Sequence, residues 1–200
     1  DDYTDRLPKP PAKKNGKRVA LVGAGPASLA VANDLLPLGY DVVIFEGLPV
    51  PGGLMRSNIP SFRLPAEVLD REINDIIGMG AQLKLGHRIE SLKKLLADGF
   101  DAIFVGTGAP KGKELKLPGR EEGDANIHIG IQWLESVAFK HLDKIGERVL
   151  IIGVGNTAMD CCRTSRRLGG EDVKVIVRSG FEEMKASPWE KEDAMHEGIP

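Results

Sequence analysis

The run Arg18-Val19-Ala20-Leu21-Val22-Gly23-Ala24-Gly25-Pro26-Ala27-Ser28-Leu29-Ala30 constrains this chain more than any other stretch. An apolar, β-branched segment ends in spaced glycines, and small residues follow in a helical pattern. A strand, a tight turn and a helix start, in that order, aim unpaired backbone N–H groups at an anion, and glycine lets the backbone come close to it. A diphosphate suits such a cradle. Pro26 fits the first helical position, where its missing N–H costs nothing. A second run of the same kind follows late in the chain, Val149-Leu150-Ile151-Ile152-Gly153-Val154-Gly155-Asn156-Thr157-Ala158. Two such cradles in 200 residues predict two dinucleotides.

After the first turn a helix is expected to about Leu36, broken by Pro37, Gly39 and Tyr40, and a strand over 41–45 then delivers Glu46. An acid at the end of the second strand, about 20 residues beyond the glycines, accepts hydrogen bonds from ribose hydroxyls. Ser28 holds the third fingerprint position, where glycine or alanine is usual, and is still small enough for close helix–strand packing. Residues 51–65 form a long irregular segment rich in apolar residues, a type of loop that is usually functional when it is ordered. In it Gly52 and Gly53 allow a flat ligand to approach the backbone, and Arg63 either faces a phosphate or ring carbonyl or is simply solvated.

Residues 66–79 carry Leu69, Ile73, Ile76 and Ile77 on one helical face, and Gly78 and Gly80 end the helix. A short strand over 82–85 and a helix from the cap Ser91 to Ala97 lead to a buried strand over 100–105. Gly106-Thr107-Gly108 then either touches a cofactor or makes a plain turn. Residues 110–123 are a charged connector, 131–142 a helix and 143–147 a hinge. The second unit is strand 148–152, turn 153–157, helix to about Leu168, a stop at Gly169-Gly170, and strand 173–177 ending in Arg178. A carboxylate at that strand end would repel a 2′-phosphate, whereas arginine pairs with it, so NADP is preferred over NAD. Ser179 and Lys185 add donors for the same phosphate; the alternative for Arg178 and Lys185 is a solvated cationic turn.

The expected layout is a linker or arm over 1–16, a first dinucleotide-binding domain over 17–145 and an incomplete second one over 146–200. A net charge of −2 gives no electrostatic reason to expect nucleic acid or an anionic membrane as partner. No apolar run is long enough to span a bilayer and no signal peptide is evident, so a cytoplasmic address is the default. Cys161 and Cys162 are adjacent, cannot readily bridge each other, and read as small packing residues. His87, His128, His141 and His196 show no metal-ligand spacing. No metal ligand and no catalytic side chain is named.

The ordered set Gly-Ala-Gly-Pro-Ala-Ser at 23–28, Gly-Gly-Leu at 52–54, Ile-Pro-Ser-Phe-Arg-Leu-Pro at 59–65 and Gly-Val-Gly-Asn-Thr-Ala-Met-Asp-Cys at 153–161 resembles the two-dinucleotide flavoproteins. More closely, residues 17–200 are similar to the family of the glutamate synthase small (β) subunit and to the matching segment of dihydropyrimidine dehydrogenase. The resemblance implies an α/β fold of two Rossmann-like domains, an FAD domain with an inserted NAD(P) domain, here truncated at the C-terminus. It implies FAD on Gly23, Ala24, Gly25, Pro26, Ala27, Glu46, Gly53, Leu54, Arg63 and Gly108, with Ile89 near the adenine end. It implies NADPH, with NADH possible, on Val154, Gly155, Asn156 and Thr157, its adenosine phosphate facing Arg178, Ser179 and Lys185.

The implied reaction is hydride transfer between NADPH and FAD. Electrons then pass to iron–sulfur clusters in a partner domain, a larger catalytic subunit or a missing segment, since family members usually carry cysteine-rich segments that these residues lack. The alternatives are the same module serving another acceptor (ferredoxin, a 2-oxoacid or a pyrimidine), a flavin monooxygenase or disulfide reductase, and a non-catalytic FAD-holding docking module. Asn58 stands where many relatives have glycine. Ser179 stands where they often have a second basic residue, and Lys185 where arginine occurs.

Overall fold

Near-continuous apolar runs such as those around Ala20 and Val43 are what a parallel strand covered on both faces requires. The computed structural model describes residues 8–200, which divide into two compact units: residues 8–56 with 61–109, and residues 57–60 with 110–200. The first unit contains β1 (Arg18–Val22), α1 (Pro26–Leu35), β2 (Asp41–Phe45), α2 (Leu54–Ser57) up to Arg56, α3 (Ala66–Gly78), β3 (Gln82–Lys84), α4 (Leu92–Ala97) and β4 (Ala102–Val105). The sheet order is β3-β2-β1-β4 and every pairing is parallel, with Arg18 opposite Asp41 and Val19 opposite Ala102.

Alternate residues of β1 and β2 feed two cores. Val19, Leu21, Val42 and Ile44 pack with Leu29 and Ala32 of α1 and Leu69 and Ile73 of α3. Ala20, Val22, Val43 and Phe45 pack with Leu95 of α4 and Phe100. The apolar stripe of α3 is therefore the face that the periodicity predicts. Ser91 caps α4 by accepting the Lys94 N–H at 3.4 Å. At the N-terminal edge of the sheet, Asp101 accepts from Lys17 Nζ at 2.8 Å and from the Arg18 N–H at 2.9 Å. The described part of the expected arm, 8–16, is exposed and irregular, and Asn15 ties it to the turn after α1 through Leu38 and Gly39. Residues 1–7 of that arm lie outside the described residues.

Two expectations change here. The loop over 51–65 is not irregular throughout, because residues 54–57 close into the short helix α2. The strand expected to be buried, β4, lies at the sheet edge with Val105 52% exposed. An apolar run reads the same in sequence whether or not a neighbouring strand covers it.

The second unit contains α5 (Gly130–Ala138), β5 (Arg148–Ile152), α6 (Asn156–Arg167), β6 (Asp172–Ile176) and α7 (Pro188–His196). β5 and β6 pair in parallel, Arg148 opposite Asp172 through Ile152 opposite Ile176. Val149, Ile151, Val173 and Val175 face a core built from Ala158, Met159 and Cys162 of α6 with Ala194 of α7 and Ile199. The opposite face leaves Leu150, Ile152 and Ile176 exposed. α5 falls in the second unit, ahead of the hinge read at 143–147. Its Trp133 and Leu134 are buried against Cys161. It ends at Ala138, short of Leu142, where Lys140 takes a φ of 59° that breaks the helix.

Candidate dinucleotide-binding turns

In the first unit the backbone itself builds the turn. Gly23 leaves β1 at a φ of +98°, and a Cβ there would meet the Gly106 carbonyl oxygen at 2.5 Å. The Gly106 N–H donates to Val22 O at 2.8 Å, so the end of β4 closes one side of the turn. Gly53 closes the other side: its φ is +55°, and a Cβ would lie 2.8 Å from Gly25 Cα. The Gly52 N–H donates to Ala24 O at 2.9 Å. The sequence expects room for a ligand at both glycines; Gly53 also leaves room for the glycine turn, whereas a Cβ at Gly52 would meet Leu69 at 3.0 Å and Arg56 at 3.1 Å. Arg56, which the sequence reading passed over, braces this loop by donating to Pro51 O at 2.8 Å and pairing with Asp70 of α3.

Glu46 is buried at the end of β2, and its carboxylate accepts from the Ala24 N–H at 2.7 Å and the Leu48 N–H at 2.9 Å. The acid is thus locked to the turn, each oxygen holding one backbone amide and keeping further acceptor capacity. At the start of α1, Gly25 supplies no side-chain cap, Pro26 has no N–H, and the amides of Ala27 and Ser28 have no acceptor among the described residues. A helix start left in this state fits an anion. Leu54 opens α2 beside Gly53, and half-buried Ile89 packs on the core around Phe45. Gly108 has a φ of +66° and open space where a Cβ would be. Arg63 is half-buried and has an interaction partner.

The second turn is more open. Gly155 precedes α6 at a φ of −111°, without a side-chain cap, and a Cβ there would meet nothing within 4 Å. The amides of Asn156 and Thr157 have no acceptor among the described residues. Val154 and Asn156 do have partners: Val154 O accepts the Ala186 N–H at 2.8 Å, and Asn156 Oδ1 accepts the Ser187 N–H at 2.8 Å. Arg178 and Lys185 are exposed and make no ion pair among the described residues, and Ser179 is half-buried between them in sequence. The structure therefore joins Lys185, through its neighbours Ala186 and Ser187, to the turn over 154–156.

Ser187 and the helix after it were also missed. The available signal was Ser-Pro, with proline at the first position of α7. Besides its apolar face, α7 is tied to α6 by the buried guanidinium of Arg163. Arg163 donates to Glu190 at 3.1 Å and to Glu197 at 2.9 Å, and pairs with Asp193 at 3.1 Å. Arg167 also donates to Glu197, and this bond holds the Glu197 carboxyl below the usual value of 4.5. Cys161 and Cys162 are buried, and burial pushes both thiols up to about 12. Among the described residues no group of three or more His, Cys, Asp and Glu side chains could hold a metal ion, and no helix is long and apolar enough to cross a membrane.

A parallel sheet with a glycine turn, a buried acid at the end of its second strand and an uncapped helix, followed by a second strand–turn–helix, is the layout of the two-dinucleotide oxidoreductase class. The chain belongs to the pyridine nucleotide-disulphide oxidoreductase family, whose model matches residues 17–200. It is 38% identical over 192 residues to the NADP(+)-dependent formate dehydrogenase subunit beta of Moorella thermoacetica, covering 94% of this chain and 27% of that protein. It is 36% identical over 202 residues to the glutamate synthase [NADPH] small chain of Escherichia coli, covering 94% of this chain and 42% of that one. The chain thus spans less than half the length of these relatives. The fold matches Mycobacterium tuberculosis FprA, solved in complex with NADPH, with a TM-score of 0.75 at 20% identity, over 90% of this chain and 47% of that one.

Proposed function

We propose that this chain is the part of a flavoprotein that binds FAD on its first turn and NADPH on its second. One observation carries the reading: two helix starts, α1 and α6, each follow a parallel strand through a glycine turn and keep amides without an acceptor among the described residues. The chemistry FAD supplies when bound is acceptance of a hydride from NADPH and release of single electrons to an iron–sulfur centre in a partner domain or larger subunit. Every other contribution comes from the chain's own groups. The amides of Ala27 and Ser28 bind the FAD diphosphate, with Gly23, Ala24, Gly25 and Pro26 shaping the approach. Glu46, already fixed by Ala24 and Leu48, accepts from the ribose hydroxyls. Gly53, Leu54, Arg63 and Gly108 line the flavin's path, and Ile89 flanks the adenine end.

In the second unit, Val154, Gly155, Asn156 and Thr157 carry the NADPH diphosphate, and Arg178, Ser179 and Lys185 meet the 2′-phosphate. The names of the Moorella and Escherichia relatives, an NADP(+)-dependent beta subunit and an [NADPH] small chain, support both the nucleotide and a partner subunit. A disulfide reductase acting through Cys161 and Cys162 is disfavoured, because adjacent, buried thiols pushed up to about 12 are poor nucleophiles. Unpaired thiols suit the cytoplasm, where we place the protein. The test is the full-length protein purified aerobically. It is expected to show flavin absorbance that NADPH bleaches anaerobically; absence of flavin, with no bleaching of added FAD, overturns the reading.

A further inference from the structure

We infer that the Asn156 side chain is a latch that sets preference for NADPH over NADH, rather than a ligand of the diphosphate. The inference rests on the second-turn reading above. Both polar atoms of the Asn156 carboxamide are engaged by one residue: Oδ1 accepts the Ser187 N–H at 2.8 Å, and Nδ2 donates to Ser187 Oγ at 3.2 Å. Ser187 follows Ala186, whose N–H donates to Val154 O at 2.8 Å and whose side chain is buried in the core with Ala158 and Met159. Two successive residues of the segment after β6 are thereby fastened to two residues of the glycine turn. Lys185 immediately precedes them, exposed and without an ion-pair partner among the described residues.

The consequence is a division of labour within one residue. The Asn156 N–H, at the start of α6, remains for the diphosphate that NADPH and NADH share. Its carboxamide fixes where the chain carrying Lys185 stands, and only NADPH has a 2′-phosphate for Lys185 to meet. Free backbone would let that lysine sample many positions, and each phosphate contact would carry an ordering cost. The latch removes that cost before the nucleotide arrives. Asn156 and Ser187 are therefore positioning residues.

The full-length flavoprotein discriminates the two roles. For Asn156→Ala the loss of two side-chain hydrogen bonds is expected to weaken NADPH binding about tenfold while NADH binding changes less than about threefold. Flavin content and the melting temperature serve as folding controls. Equal losses for both nucleotides, or no loss for either, overturn the inference, because a diphosphate ligand acts on both alike. In a Lys185→Ala background Asn156→Ala is expected to add no further discrimination, and an additive effect speaks against the latch. If Asn156→Ala misfolds, Ser187→Ala carries the test: it removes only the Nδ2 bond, with about a threefold shift toward NADH expected and an unchanged ratio overturning the latch. A wild-type protein that binds neither nucleotide refutes the second-turn reading itself, an outcome distinct from the latch failing.

Discussion

The two glycine turns share a pattern and differ in how they are held. The first is gripped by backbone from both sides, Gly106 against Gly23 and Gly53 against Gly25, and its acid is tied to the turn by the Ala24 N–H. The second has open space at Gly155, exposed cations after β6, and a side-chain tie through Asn156 and Ser187. A site closed by main-chain packing has little freedom to lose and suits a resident group. A site finished by side chains on a loop suits a molecule that enters and leaves. This difference matches the proposed division between FAD and NADPH.

Four experiments sharpen or break that contrast, from the largest expected effect to the smallest. Arg163→Met removes the cation around which Glu190, Asp193 and Glu197 gather; Glu190 is the buried one of the three, and taking the cation from a buried carboxylate costs about 3–5 kcal/mol. Denaturant unfolding of the full-length protein checks this, and a loss under about 1 kcal/mol means that α7 is held by its apolar face alone. Gly23→Ala combines a positive φ with a clash against Gly106 O, and is expected to cost about 3 kcal/mol together with flavin retention. Full flavin content in that variant contradicts a backbone-closed first site.

Gly155→Val should do the opposite. The φ is ordinary and the surroundings are open, so stability shifts by about 0.5 kcal/mol or less while the KM for NADPH rises at least about tenfold. Flavin content stays normal, and partner affinity, measured by pull-down with the cognate subunit, is kept. Unchanged NADPH turnover would favour the docking-module alternative. Ser28→Ala is the smallest change: Ser28 Oγ is fully buried without a partner among the described residues, so its removal is expected to be neutral or stabilising by about 1 kcal/mol in thermal unfolding. A clear destabilisation would show that the hydroxyl has a partner in the loaded protein.

The titrating groups of the second unit respond at both ends of the pH scale. Glu197 is held below its usual 4.5 by Arg167, so its contribution is complete above that value and is lost as pH falls through the lowered one. The thiols move the other way. Folding keeps them protonated up to about 12 against an ordinary 9.0, so their contribution is complete below pH 9 and lost as pH rises toward 12. A thiol reagent at pH 8 should therefore label neither cysteine in the native protein and both after unfolding. Fast native labelling would reopen the question of a redox role.

Most of the layout was legible because it is local. Strand runs of apolar β-branched residues, the stop at Gly39, the cap at Ser91 and the turn signals at Gly23 and Gly155 each depend on a few neighbouring residues. Glu46 was legible because strand and helix lengths in such units fix the spacing between turn and acid. The short helix α2 was not, since four residues carry too little periodicity, and the exposure of β4 was not, since an edge strand and a central one have the same composition. α5 could be read as a helix but not as the cover of α6, because its apolar face names no partner.

By itself, then, the sequence determined the parallel α/β design, the two cradles and the sign of the charge waiting at each: an acid after β2, an arginine after β6. Only the tertiary structure decided that Gly53 and Gly106 close the first turn, that Arg163 gathers three carboxylates, and that Asn156 spends its side chain on Ser187. The physical reason is range. Helix starts, strand runs and turns follow from interactions within a few residues of chain. Close backbone approach and shared hydrogen bonds join segments that are distant along the chain and leave no periodic trace in it.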